Sequence, residues 1–323
     1  MFIKEKQLLV EQKNIVNNKL SLLSQNFIKT LAYYDIFNYP LTREEIFYNS
    51  FTNGDSKETV FDEIDNLVDL GIIYHHNGYY LLYNNGQYVP RRITGNKRAE
   101  RKLKIAKCFS NIIAKFPYVR AVLVSGSLSK GYMDEDADID FFVITEPNRL
   151  WISRFLLMVF KKIFLLNSKK NFCINYYITT DNLEIEDKNI FIAIEFASLL
   201  PTYGSDIYDK LYSSNQWIKN YVPNYPVRET KDIKKFRPCL LQKIIEPLLT
   251  NKLGCNLDDF FMNLFYKYDK KRYSDYDEKS FASSFKIRKN ISTHHPDSFQ
   301  NKVLHALEQK ILNLQGEHNI LLN

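Results

Sequence analysis

Residues 121–145 read AVLVSGSLSKGYMDEDADIDFFVIT, and this stretch decides the fold. Ala121 to Val124 and Phe141 to Ile144 are short apolar runs of the kind that form buried strands. Between them Gly126 lets the chain turn sharply off the first strand. The N–H groups that open the following helix, together with the Ser127 hydroxyl, have the chemistry to hold phosphate oxygens. Asp138 and Asp140 lie two apart on a strand, so both carboxylates face one way while Ile139 enters the core. Paired hard oxygen donors suit a divalent cation such as Mg2+ or Mn2+. Asp134, Glu135 and Asp136 have no such apolar alternation and are read as a solvated loop.

Downstream, Leu150 to Leu166 reads as a buried helix. Arg154, Lys161 and Lys162 interrupt it, which a membrane span at bilayer depth would rarely carry. Phe172 to Ile178 supplies a third strand and Ile190 to Leu200 a second, almost wholly apolar helix. Strands covered by buried helices indicate a mixed α/β layer. From about Asn215 onward the chain reads as helix, turn and charge, with no strand expected.

Upstream, a basic helix spans about Asn96 to Lys115, and before it lies the pattern of a winged helix. A polar helix is expected from Met1 to about Ser24. Gln25 to Phe37 has a helical apolar face and stops before Asn38-Tyr39-Pro40. Thr42-Arg43-Glu44-Glu45 has the order of a capping box. A third helix, capped by Asp55 or Ser56, ends at Gly71. Two short apolar runs then flank Asn77-Gly78, a hairpin signal. From Asp55 to Gly71 one lysine, Lys57, stands against six acidic residues. Phosphate attraction dominates affinity for nucleic acids, so such a helix argues against DNA and for packing or contact with a protein partner.

The chain has 323 residues, 45% of them apolar and 15% aromatic, enough for two or three domains with a large core. The net charge of +7 is modest for this length. Seven basic residues cluster as Arg91, Arg92, Lys97, Arg98, Arg101, Lys102 and Lys104. With Lys130 they have the charge to complement a triphosphate or an acidic acceptor, although a solvated helix face is the preferred reading. The opening residues lack an apolar signal core, and the four scattered cysteines read as ordinary buried thiols in a reducing cytoplasm. Neither histidine pair, His75-His76 nor His294-His295, has the helical spacing of a zinc site. His294-His295-Pro296-Asp297 reads as the opening of the last helix.

Gly126, Ser127, Gly131, Asp138 and Asp140 match a Gly-Ser turn followed by a strand bearing Asp-x-Asp. Over these residues the chain resembles the DNA polymerase β-like nucleotidyltransferase superfamily. With its winged helix it is similar to a group of bacterial predicted nucleotidyltransferases. Ala137 stands where many members carry serine. The resemblance implies Mg2+ and a nucleoside triphosphate, with Gly126, Ser127 and Gly131 on the phosphates and Asp138 and Asp140 on metal; Lys130 is a phosphate candidate by its charge alone. It also implies a third carboxylate on the strand after the helix, where this chain has Asn175. An amide accepts a metal weakly and cannot serve as a base.

Glu195, set in an apolar helix, is a second-choice carboxylate for catalysis. Its other reading, the preferred one, is a buried ion pair with Arg154, which is equally misplaced in its own apolar helix. The expected fold class is α+β: an N-terminal helix plus a winged helix at residues 1–90, a mixed-sheet nucleotidyltransferase domain at 91–214 and a helical region at 215–323. The expected activity is transfer of a nucleoside monophosphate from a triphosphate to a hydroxyl of a small molecule or protein. Two alternatives stand beside it: a catalytically silent nucleotide-binding module acting through the winged helix, and a DNA-binding regulator.

Overall fold

The computed structural model describes residues 20–51, 56–166, 168, 170–294, 299–318 and 320–322. The helix expected from Met1 falls almost wholly outside these residues, as do Asp55, His295, Pro296 and Asp297.

Helix α1 (Leu22–Asp35) opens where the Ser21 side chain accepts from the Ser24 N–H at 3.0 Å. Helix α2 (Arg43–Asn49) begins with the Thr42/Glu45 capping box read from the sequence. Helix α3 (Lys57–Asp69) is capped by Ser56, and Gly71, at φ +67°, follows its end. Strands β1 (Tyr74–His76) and β2 (Tyr79–Leu81) pair antiparallel around Asn77 and Gly78, both at positive φ as a tight primed turn requires. Three helices and a hairpin thus follow in the order expected.

Helix α4 (Tyr88–Ile113) starts well before Asn96, so the boundary expected at residue 90 lies inside a continuous helix. Pro90 is tolerated in its first turn. Gly95 is needed because a Cβ there would lie 2.2 Å from the Tyr132 ring. The basic run does not form one solvated face. Arg92 is buried, donating to the Pro40 carbonyl at 3.0 Å and to Glu45 at 2.5 Å, and so ties this helix to the N-terminal module.

The central sheet is built from β3 (Val119–Ser125), β4 (Asp140–Thr145), β5 (Cys173–Thr179) and β6 (Leu200–Tyr203). A short helix, α5 (Gly126–Ser129), follows β3; α6 (Leu150–Phe164) crosses from β4 to its parallel neighbour β5; α7 (Ile190–Ala197) and α8 (Ser205–Ser213) flank β6. The C-terminal part adds α9 (Leu240–Ile245), α10 (Lys252–Arg272) and α11 (Glu278–Ser284). After these come β7 (Ile287–Arg288), β8 (Ile291–Thr293) and α12 (Phe299–His318).

Strand order is β6-β3-β4-β5-β8-β7, a mixed sheet of six strands. The expectation of no strand beyond Asn215 is overturned. β8 pairs with β5, and these strands of two and three residues are too short to show a period of their own.

Alternation divides the sheet between two cores. Leu123, Phe142, Ile144 and Ile178 share one core with α7 and the N-terminal module. Val122, Val124, Phe141 and Val143 pack in the other against α4 and α6. The C-terminal part is fastened by buried polar groups. Asp258 of α10 caps α6 from outside, accepting from the Trp151 and Ile152 N–H groups at 2.8 and 2.9 Å. No helix among the described residues is long and apolar enough to cross a membrane. The four cysteines form no disulfide, and the expectation that they are buried is not met: Cys108 is exposed and the other three are half-buried.

Candidate active site

At the end of β3 the chain turns at Gly126, whose φ is +66°. A Cβ there would lie 2.6 Å from Oδ2 of Asp140, so glycine is required by conformation and by space together. Ser129 Oγ donates back to the Gly126 carbonyl at 2.8 Å and holds the turn. Gly131, at φ +72°, gives its N–H to the Leu128 carbonyl at 3.0 Å. It closes the turn and does not line the cavity beside it.

Ser127, Lys130, Asp138, Asp140 and Glu195 all line one cavity of roughly 1490 Å³. Asp140 opens β4 and Asp138 precedes it, while Ile139 is fully buried, so the two carboxylates share a side as the spacing requires. Burial, with the charge of Asp138 beside it, pushes the Asp140 carboxyl up to about 7; Glu195 adds to this, while hydrogen bonds from Cys173 and Asn175 oppose it.

Asn175 is brought to this point by a bulge. Phe141 and Phe142 face Ile174 and Tyr176, leaving Asn175 as the extra residue on β5. Its Nδ2 donates to Asp140 Oδ1 at 2.6 Å, and Cys173 Sγ donates to its Oδ1 at 3.0 Å.

Among the described residues no group of three histidine, cysteine or acidic side chains gathers as a metal cage. The donor set nevertheless fits Mg2+ or Mn2+. Such ions commonly bind through one or two carboxylates and complete their shell with substrate phosphates and water. Asp138 and Asp140, the latter destabilised as a carboxylate by burial and by its neighbour's charge, would supply the protein's share.

Glu195 does not pair with Arg154. Its partner is Lys130, whose Nζ lies 2.8 Å from each carboxylate oxygen and 3.3 Å from the Gly126 carbonyl. Lys130 is therefore not a solvated surface cation either. The two apolar helices face different parts of the cavity, which helical periodicity within each could not reveal. Arg154 instead donates to Ser292 Oγ. Asp134, read as solvated, is half-buried and engaged: Arg91 donates to it at 2.7 Å and the Tyr132 hydroxyl at 2.6 Å.

Sequence reasoning missed the N-terminal module's share of this wall. Tyr33, Phe37 and Tyr39 line the cavity, and the Tyr39 hydroxyl donates to the Lys130 carbonyl at 3.3 Å. Tyr33 is 2% exposed, and among the described residues its hydroxyl has no hydrogen-bond partner. Arg228, in a long loop, donates to the Ser129 carbonyl at 3.0 Å and buttresses the turn from behind. None of these contacts has a local signal, because each joins residues far apart in the chain.

Residues 105–203 match the family described as "Nucleotidyltransferase domain". No curated protein and no solved structure matches the chain.

Proposed function

We propose that the segment around this nucleotidyltransferase match is a metal-dependent enzyme that moves a nucleoside monophosphate from a triphosphate to a hydroxyl of an acceptor. The observation that carries the reading is the approach of the Gly126 turn to Asp140, with Ser127, Lys130, Asp138 and Glu195 on the same cavity. A phosphate-holding turn and a cation-holding carboxylate pair in contact are what nucleotidyl transfer needs.

In this reading Asp138 and Asp140 hold Mg2+ or Mn2+, while the turn's N–H groups and the Ser127 hydroxyl orient the triphosphate. The bound cation would neutralise charge at the α-phosphorus and its leaving group. An oxygen–phosphorus bond forms to the acceptor hydroxyl as the bond to pyrophosphate breaks. Glu195 takes the hydroxyl proton, and Lys130, already bridging Glu195 and Gly126, holds that carboxylate in position. Gly131 contributes by shaping the turn. Residues 91–214 serve as the catalytic domain, residues 1–90 as a winged helix that walls the cavity and offers a surface to a protein partner, and residues 215–323 close the acceptor side. The acidic α3 argues against duplex DNA as that partner, and the protein is assigned to the cytoplasm.

Equilibrium binding of each nucleoside triphosphate, with and without Mg2+ or Mn2+, tests the site. Metal-dependent binding that disappears in Asp138→Ala, Asp140→Ala supports it, and unchanged binding overturns it. One observation favours a second reading, a silent nucleotide-binding module: Asn175 occupies Asp140 where the superfamily resemblance implies a third carboxylate. Metal-dependent binding without any transfer would select that reading.

A further inference from the structure

Arginine does not lose its charge in proteins, so an interior guanidinium needs oxygen partners. The buried arginines of this chain have them. Arg92 meets Glu45, Arg120 meets Glu146 and Glu246, and Arg149 reaches the Leu249 carbonyl at 2.5 Å. Arg154, half-buried on the wall of the cavity, is different. It donates to the single hydroxyl of Ser292, and among the described residues no carboxylate stands within 4.0 Å of it.

Its guanidinium is set among aromatic rings, 4.7 Å from the Phe265 centroid, 5.2 Å from that of Trp151 and 5.8 Å from that of Tyr177. Burial draws its pKa down from the usual arginine range. Arg154 also lines the cavity that holds Asp138 and Asp140.

The surroundings favour an anion. Arg272 and Lys162 line the same cavity, and Lys286 is held by Asp187 at 2.7 Å. Asp269 of α10 is the acidic group facing Arg154. Its carboxylate can accept from a hydroxyl or ammonium of the same ligand. Along β5, Cys173 pairs in register with Asp140, whereas Arg154 sits by Tyr177, four residues farther along.

We propose that Arg154 forms an acceptor subsite, binding a carboxylate or phosphate group on the molecule that receives the nucleotide. The proposal rests on the transferase reading above. The guanidinium fork matches either anion bidentately, and the aromatic rings around it exclude water and strengthen the contact.

Trp151, whose ring centroid lies 5.2 Å from the Arg154 guanidinium, is a reporter of binding. In a Trp217→Phe protein, which retains it as the sole tryptophan, fluorescence is followed during titration with inorganic phosphate and with acetate at constant ionic strength. The expected result is a saturable change with one probe, weakened at least tenfold in Arg154→Met and less in Arg154→Lys. Metal-dependent triphosphate affinity stays within twofold in both variants. The responding probe tells a phosphorylated acceptor from a carboxylated one. No response in the parent, or an equal response in Arg154→Met, overturns the proposal. So does a parallel loss of triphosphate affinity, which would assign Arg154 to the donor. Should Arg154→Met not fold, the Arg154→Lys comparison decides. Failure of the transferase reading is seen separately, as absence of metal-dependent triphosphate binding in the parent protein.

Discussion

Lys130 Nζ stands 2.8 Å from both carboxylate oxygens of Glu195, and the pair spans the gap between the Gly126 turn and helix α7. Both side chains are mostly shielded, so removing either leaves a poorly solvated charge. Lys130→Met should destabilise the protein by about 2 kcal/mol in chemical denaturation. In a double-mutant cycle with Glu195→Gln the coupling should be about 1 to 2 kcal/mol. Additive effects would show that the pair contributes nothing to stability.

Gly126 should tolerate no side chain. Gly126→Ala adds a methyl group 2.6 Å from Asp140 Oδ2 at a backbone φ of +66°, forcing the carboxylate or the turn to shift. A cost of about 1 to 2 kcal/mol in stability is expected, with at least a tenfold loss of metal-dependent triphosphate affinity by calorimetry. Wild-type affinity in this variant would show that the close approach is incidental.

Among the described residues the buried Tyr33 hydroxyl has no hydrogen-bond partner, and the charge of Glu195 beside it adds to the effect of burial in raising its pKa. Removing an unsatisfied buried hydroxyl relieves its desolvation, so Tyr33→Phe should raise stability by about 1 kcal/mol in the absence of ligand. A lower melting temperature for the variant would contradict this.

Asp258 gives a pH dependence away from the candidate site. Burial pushes its carboxyl up to about 6, against the N–H groups of Ile152 and Trp151 that pull it down. The folded protein therefore holds this proton more tightly than the unfolded chain, whose ordinary value is 3.8. The resulting stability is complete below about pH 4 and is lost as pH rises through about 6. Asp258→Asn keeps an acceptor for both N–H groups and removes the titration. Its stability relative to wild type should rise between pH 4 and 7, by up to about 3 kcal/mol. Parallel pH profiles would refute the shift.

What could be read from the chain was local. The strand, turn and carboxylate pair of residues 121–145, the Thr42 capping box and the Asn77-Gly78 turn each carry their physics within a few residues. What escaped was pairing across distance. Apolar helices containing Glu195 and Arg154 announce two misplaced charges, but only the fold shows that Lys130 meets one and Ser292 the other. β7 and β8 are strands because β5 offers an edge, and Tyr33 and Tyr39 reach the cavity because α4 fixes the N-terminal module through Arg92. Asn175 was legible as a departure, whereas the bulge that turns it onto Asp140 was not.

If Asp138 and Asp140 hold the metal for nucleotidyl transfer, the fate of the α-phosphate reports it. Pure protein is incubated with Mg2+ or Mn2+, each α-labelled nucleoside triphosphate and a cell extract, beside the Asp138→Ala, Asp140→Ala variant. Label should enter a new species only with the wild type and only when the metal is present. Equal labelling by the variant, or labelling that persists when the metal is chelated, would refute this role for the two aspartates.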